Sequence, residues 1–355
     1  MIIPYIIKSG QRYNLPDGVG IAVTEERNGA YDLEMRYRYS GENADEIACE
    51  SIIFAIAQKG NAPEPMRVYE VTTPIDGVMT VKAHHKSYDL DGYVLTPFAA
   101  NDPTTIIYNI NTQLTAAGAD IEIAQNPIIS GGKRLEIVKP ESAGSVLKKL
   151  IDLYDLEVSY KWDEANQKEV VTVNAARGVN SKATVEYGIN LLSIDAAVNS
   201  DNVYSAIYPY YAKESGGSWT VVTLPEETIA TGATTTRQRT LPVDLTSAFN
   251  STPTAAQLRA EANAYIAGTD WNATDSVTVD FVPLQNTTEY KNNIGDQALK
   301  LCDTVKVSAE VLGVERTAKV VKTVYNQFTE KYDQMTVGTI PKNIADTIAE
   351  LEAKQ

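Results

Sequence analysis

The chain has 355 residues, 43% of them hydrophobic and 22% charged, enough for two or three domains that each bury a core. With 46 Asp and Glu against 31 Lys and Arg, the net charge is −15, which argues against a dedicated nucleic-acid binder, whose contacts need clustered cations. No apolar run is long enough to span a bilayer, and the opening MIIPYIIKSG lacks the basic and long apolar regions of a secretory signal.

Residues 1–96 read as strands. Asn28-Gly29 is a hairpin turn, after which Tyr31, Leu33, Met35, Tyr37 and Tyr39 alternate with Asp32, Glu34, Arg36 and Arg38. That period of two predicts one apolar and one charged face. Ile47 to Ala57 fits either a helix or a buried strand. Met66 to Thr72 and Val78 to Ala83 alternate around Pro74-Ile75-Asp76-Gly77, a second hairpin.

The period then changes. Asp102 is placed to cap a helix with Pro103 at its first position, and Ile106, Ile107, Ile110 and Leu114 share one face until Gly118. Short strands follow at Ile121 to Ala124 and Leu135 to Val138, then a helix over about 141–154, then a hairpin of Leu156 to Trp162 and Val170 to Asn174. Residues 97–182 are thus expected to form an inserted α/β domain.

Strands resume from residue 183. Ser215-Gly216-Gly217-Ser218 is turn chemistry, and the threonine-rich Thr231 to Thr240 predicts an exposed loop. A helix is expected from a Ser251 or Thr252 cap through Pro253 to Ile266, with Leu258, Ala262 and Tyr265 on one face and Gly268 beyond its end. Val277, Val279 and Phe281 mark one further strand, Val305 and Val307 a second, and Lys319 to Phe328 a third, with a turn near Gly313. After Pro341, the spacing of Ile344, Ile348 and Leu351 fits either the start of a coiled coil or an amphipathic helix docked on its own body. The expected fold class is therefore α+β, mostly β: 1–96, 97–182, 183–340 with a helix-containing insert around 210–275, and 341–355.

The residues offer little chemistry. The two histidines, His84 and His85, are adjacent in a strand, so their side chains point to opposite faces and neither shares a role with the other; both are read as ordinary polar strand residues. Cys49 and Cys302 lie far apart without ligand spacing and are expected to be small buried thiols. Gly131-Gly132-Lys133 lacks the earlier glycine and the following helix of a phosphate loop. The sequons at Asn250, Asn272 and Asn286 carry no weight without a signal peptide. No nucleophile–base, zinc or calcium constellation is present, so no catalytic, cofactor-binding or metal-ligating residue is assigned. Tyr204, Tyr208, Tyr210 and Tyr211 cluster in one segment, which suits either an interface or a strand end covering the core.

The run AHHKSYDLDGYVL (83–95), after VYEV and DGVMTVKA, resembles the prophage endopeptidase tail family, the tail-associated lysin hubs of phage tails, which are similar to the baseplate hub protein of T-even phages. NGAYDLEMRYRYSG (28–41), ATVEYGINLLSIDAAVNSDNVYSAIYPY (183–210), SVTVDFVPLQNTTEY (276–290) and the block 303–338 recur in the same order. The resemblance implies a virion protein of the tail tip: a homotrimer whose two antiparallel barrel-like domains per chain make a pseudo-sixfold ring. It also implies contacts with the distal tail, tail tube and tape-measure proteins, while the residues themselves lead to the expectation of no cofactor, no specific nucleic-acid binding and no membrane insertion. The lack of any nucleophile–base or metal constellation adds the expectation that the chain is not an enzyme. An alternative is the N-terminal anchor of a tail-associated cell-wall hydrolase, whose peptidase or glycosidase domain would follow Gln355.

Overall fold

The structure, a computed structural model, describes residues 3–58, 60–72, 77–186, 191–201, 203–269, 271–281, 299–309 and 314–338. The chain divides into two compact units, residues 1–195 with 277–338 and residues 196–276 with 339–355. The architecture is mostly β, with three α-helices among the described residues, none long and apolar enough to cross a membrane.

In the first unit, the N-terminal strands are β1 (Tyr5–Lys8), β2 (Gln11–Asn14), β3 (Gly18–Glu26), β4 (Tyr31–Arg38), β5 (Ile52–Ala55), β6 (Glu64–Val71) and β7 (Val78–His85). The β3–β4 hairpin turns where the sequence predicts, with Asn28 at φ 54°, a left-handed conformation that Asn tolerates better than most residues. Tyr31, Leu33, Met35 and Tyr37 are buried, and the charged residues between them face outward. Tyr39 departs from the pattern and is exposed, because β4 ends at Arg38. The ambiguous 47–57 stretch resolves as a strand, β5, which follows a short 3₁₀ turn at Ala44–Glu46 and a loop. Strands β6 and β7 pair as expected, while residues 73–76 of their turn lie outside the described residues. On β7, Met79, Val81, Ala83 and His85 share the buried face. With Leu33, Met35, Ile53, Met66 and Val68 they close one core, in which each fully buried aliphatic side chain contributes roughly 1.5–3 kcal/mol.

A 3₁₀ helix, Lys86–Gly92, leads through β8 (Val94–Leu95) and β9 (Phe98–Ala100) to α1 (Pro103–Ala116). Asp102 caps α1 as expected, its carboxylate accepting the Thr105 N–H at 2.8 Å. Next come β10 (Ile121–Gln125), β11 (Leu135–Ile137), β12 (Glu141–Ser142), α2 (Ala143–Tyr154), β13 (Glu157–Asp163) and β14 (Lys168–Asn174). Strand β14 lies between parallel β10 and antiparallel β13, and the two helices pack on this sheet to form a separate core around Ile106, Ile110, Leu147, Leu150, Val171 and Val173.

The chain continues through β15 (Asn180–Glu186) and β16 (Leu191–Asn199). The second unit has a four-stranded sheet of β17 (Ala206–Ser215), β18 (Ser218–Thr223), β19 (Ile229–Ala230) and β20 (Thr240–Asp244), with α3 (Ala255–Ala267) on one face. The residues between β19 and β20 form the expected open loop. The cap of α3 is Thr254, not Ser251 or Thr252. Thr254 and Gln257 complete a reciprocal capping box, which fixes the helix start at Ala255, two residues beyond Pro253. Leu258 and Ala262 are buried, as their spacing predicts.

Strands β21 (Thr274–Phe281), β22 (Thr304–Ala309), β23 (Val314–Asn326) and β24 (Lys331–Gly338) finish the described chain. The large sheet runs in the order β16-β21-β24-β23-β3-β4-β7-β6-β5-β1-β2, with β22 joining β23 to β15. The first half of β23 pairs with β22, and its second half lies between β24 and β3. The beginning and end of the described chain therefore share one sheet. The expected terminal helix at 344–351 lies outside the described residues.

Candidate functional site

Three buried polar groups meet where β6 and β7 pack against β13 and β14. His85 ends β7 with no exposed surface, Glu64 begins β6, and Glu169 is the second residue of β14. Strand parity explains their burial. Glu169 falls on the same face as Val171 and Val173, Glu64 on that of Met66 and Val68, and His85 on that of Val81 and Ala83. The His85 ring is stacked on Tyr31 at 4.3 Å and tilted against Tyr160 at 4.7 Å.

The hydrogen bonds fix the protonation of the ring. The Ser87 backbone N–H donates to His85 Nδ1 at 3.2 Å, with Ser87 Oγ at 2.9 Å. A backbone N–H can only donate, so Nδ1 carries the lone pair and the neutral ring holds its proton on Nε2. Nε2 faces Glu169 Oε2 at 3.8 Å and Glu64 Oε2 at 4.0 Å, both beyond hydrogen-bond reach. Among the described residues, His85 Nε2 and Glu169 Oε2 are buried without a hydrogen-bond partner. The other contacts of the two carboxylates are structural: Glu64 Oε2 accepts the Trp162 N–H at 3.0 Å, and Glu169 Oε1 accepts the Lys161 N–H at 3.2 Å.

Burial sets the charge states. It pushes Glu169 up to about 9, helped by the charge of Glu64, and pushes Glu64 up to about 7 against the Trp162 N–H. It also pushes His85 down to about 3, so the ring is neutral at pH 7. The three donor atoms are close enough together to surround a small cation. The tautomer opposes that use. A cation on Nε2 would require a proton on Nδ1, aimed at the Ser87 N–H. The arrangement suits a packed junction with few charges, in which His85 and Glu169 have no exposed surface.

His84 occupies the opposite face, as the alternation requires. Its Nδ1 is 2.7 Å from Asp32 Oδ1, and its ring lies between Tyr69 and Tyr88 at 4.2 and 4.5 Å. His84 is thus a partly exposed strand residue, while His85 is a core residue, unlike the single reading given to both from sequence.

A second junction surrounds the buried Glu157 on β13. Its carboxylate accepts from Arg27 Nε at 2.6 Å, from Lys319 Nζ at 2.5 Å and from the Arg177 backbone N–H. Arg177 also pairs with Glu25 at 3.2 Å. Burial pushes Glu157 up, but the Lys319 hydrogen bond, the Arg177 N–H and the nearby cations outweigh it and hold the carboxyl below its ordinary value. Asn28 adds two bonds at the start of β13, donating to Leu156 O at 2.7 Å and accepting the Val158 N–H at 2.9 Å.

The remaining sequence candidates are resolved simply. Cys302 is buried, but Cys49 is exposed in the turn before β5, contrary to the expectation of two buried thiols. Lys133 is tied to Leu153 O at 2.7 Å and strand β11 follows it, so the Gly131-Gly132 loop holds no phosphate-binding helix. Tyr211 is a core residue, whereas Tyr208 and Tyr210 lie half-buried on the other face of β17.

No family model and no curated protein matches the chain. Solved structures match it over nearly its whole length. Prophage tail protein gp18 from Listeria monocytogenes EGD-e is 14% identical, with 99% of this chain aligned to 98% of that one at a TM-score of 0.61. The 43 kDa tail protein of prophage MuSo2 from Shewanella oneidensis is 15% identical over 96% and 98%, at a TM-score of 0.59. The tail protein from Neisseria meningitidis MC58 is 13% identical over 95% and 96%, at 0.58. The chain therefore has the fold of prophage tail proteins.

Proposed function

We propose that this chain is a structural hub protein of a phage or prophage tail tip. Three copies form a ring that joins the tail tube to the distal tip and lets DNA or cargo pass. Residues 1–96 and 183–340 supply the barrel-like ring elements, 97–182 is the insert between them, and the distal tail, tail tube and tape-measure proteins are the neighbours. The observation that carries this reading is agreement in fold with three prophage tail proteins over at least 95% of this chain. The lack of solvent access to the buried His85 cluster favours a scaffold over an enzyme. The test is a structure of the assembled tip. A closed ring of three chains is expected, and a twofold or sixfold ring of this chain, or its absence from the particle, overturns the proposal.

A further inference from the structure

The exposed edge of the second unit points to a docking site. Among the described residues, β18 pairs only with β17, in unbroken register from Tyr210 opposite Thr223 to Ser215 opposite Ser218. Its other edge therefore presents backbone donors and acceptors along a six-residue strand. Sheet edges are normally protected by charge, proline, a bulge or shortness. The sequence SWTVVT has no charged residue and no proline. Two large apolar side chains on this strand also face water, Trp219 at 66% and Val221 at 58% exposure. Alternation places them on one face.

The register identifies what surrounds them. Trp219 is opposite Glu214, Val221 is opposite Ala212, and Tyr210 is opposite both Thr223 and Asp244. On this face, β17, β18 and β20 contribute aromatic and aliphatic surface, the two acids Glu214 and Asp244, and no Lys or Arg. The opposite face of the sheet packs on α3 through Ile207, Val243, Leu258 and Ala262.

From this we infer that β18 is a strand-addition site for an extended segment of another protein, with apolar side chains that cover Trp219 and Val221 and with Lys or Arg at its ends. Backbone pairing would supply affinity, and alternate side chains with the flanking charges would supply selectivity. A second copy of this chain is the poorer occupant, because pairing β18 with itself brings two acidic faces together with no cation between them. This inference is independent of the tail-hub reading.

The test uses the full chain and two synthetic seven-residue peptides with Val and Thr alternating inside, one with Lys at both ends and one with Glu. Saturable binding of the Lys peptide is expected, with slowed hydrogen exchange confined to residues 218–223 and binding of the Glu peptide at least about tenfold weaker. Val221→Lys and Trp219→Lys, both at exposed positions, should abolish binding while leaving the thermal melt unchanged. Equal binding of both peptides, binding that survives both substitutions, or no saturable binding overturns the inference. So does a concentration-dependent dimer that Val221→Lys dissolves, because it would assign the edge to a second copy.

Discussion

Glu157 and Lys319 are 162 residues apart in sequence and meet at 2.5 Å in the first unit. Their contact ties β13 of the α/β part to β23 near the end of the described chain, and Arg27 next to the β3–β4 turn completes the junction. A carboxylate held by three donors from three segments fixes the packing of those segments more narrowly than apolar contact alone, because removing it strands the donors.

Replacing Glu157 should therefore be costly. Glu157→Ala leaves two cations facing a buried void, and breaking a buried pair costs about 3–5 kcal/mol. Arg27 and Lys319 each retain roughly a third of their side-chain exposure, which places the expected loss at the lower end of that range. Because the folded carboxyl lies below its ordinary value of 4.5, its contribution is present above that pH and is lost as pH falls through the folded value. Urea denaturation of wild type and Glu157→Gln from pH 3 to 7 should show two curves that converge in acid. Parallel curves would show that the charge of Glu157 contributes nothing.

Glu169 acts in the opposite sense. Its folded value of about 9 lies above the ordinary 4.5, so the folded state binds the extra proton between these values. Its contribution is complete below pH 4.5 and is lost as pH rises toward 9, at no more than about 1.4 kcal/mol per pH unit. Glu64, with a folded value of about 7, adds to the same fall. His85 has a folded value of about 3 and an ordinary one of 6.5, so its contribution is lost as pH falls from 6.5 toward 3. Glu169→Gln, nearly isosteric and always neutral, should flatten the decline in melting temperature between pH 6 and 9. An unchanged slope would place the titration elsewhere.

How much of this was legible is clearest at these residues. The Asn28 turn, the Asp102 cap and the apolar stripe of α1 rest on local rules and appear in the structure where the sequence places them. The cap of α3 was placed two or three residues early, because Ser251, Thr252 and Thr254 all have a capping side chain and only the Thr254–Gln257 spacing distinguishes them. The buried acids were missed although parity was available: Glu169, Val171 and Val173 read as one face of a strand. What parity cannot give is the partner. The meeting of Glu64 with Glu169, or of Glu157 with Lys319, depends on which sheets pack together, and no local pattern encodes that.

The histidine pair should separate on mutation. His84→Gln removes a partly exposed ring and its contact with Asp32, and the loss should stay within about 1 kcal/mol. His85→Ala empties a buried site and removes the acceptor for the Ser87 N–H, so the loss should fall in the range of about 2–5 kcal/mol for large-to-small core changes. Chemical denaturation of the two single variants measures this directly. Elemental analysis after zinc loading should find no stoichiometric metal. One zinc per chain, lost in Glu169→Gln, would mean that Nε2 is a ligand and the assigned tautomer is wrong.

The final prediction concerns DNA. If three copies line a duct through which DNA passes, affinity for phosphate would slow transit, since each lumen-facing Lys or Arg would take up a phosphate and release a counterion. The chain carries 46 acids against 31 bases, so its long-range field repels a polyanion at low salt, where screening is weakest. Even the outer face of β4 carries both signs, with Asp32 and Glu34 followed by Arg36 and Arg38, and so makes no continuous basic stripe. Gel-shift and anisotropy titrations with duplex and single-stranded DNA at about 20 mM salt should show no saturable binding, far from the steep salt dependence of a protein that neutralises several phosphates. Tight binding that weakens steeply with added salt would reveal a basic track and refute a lumen that leaves DNA free to move.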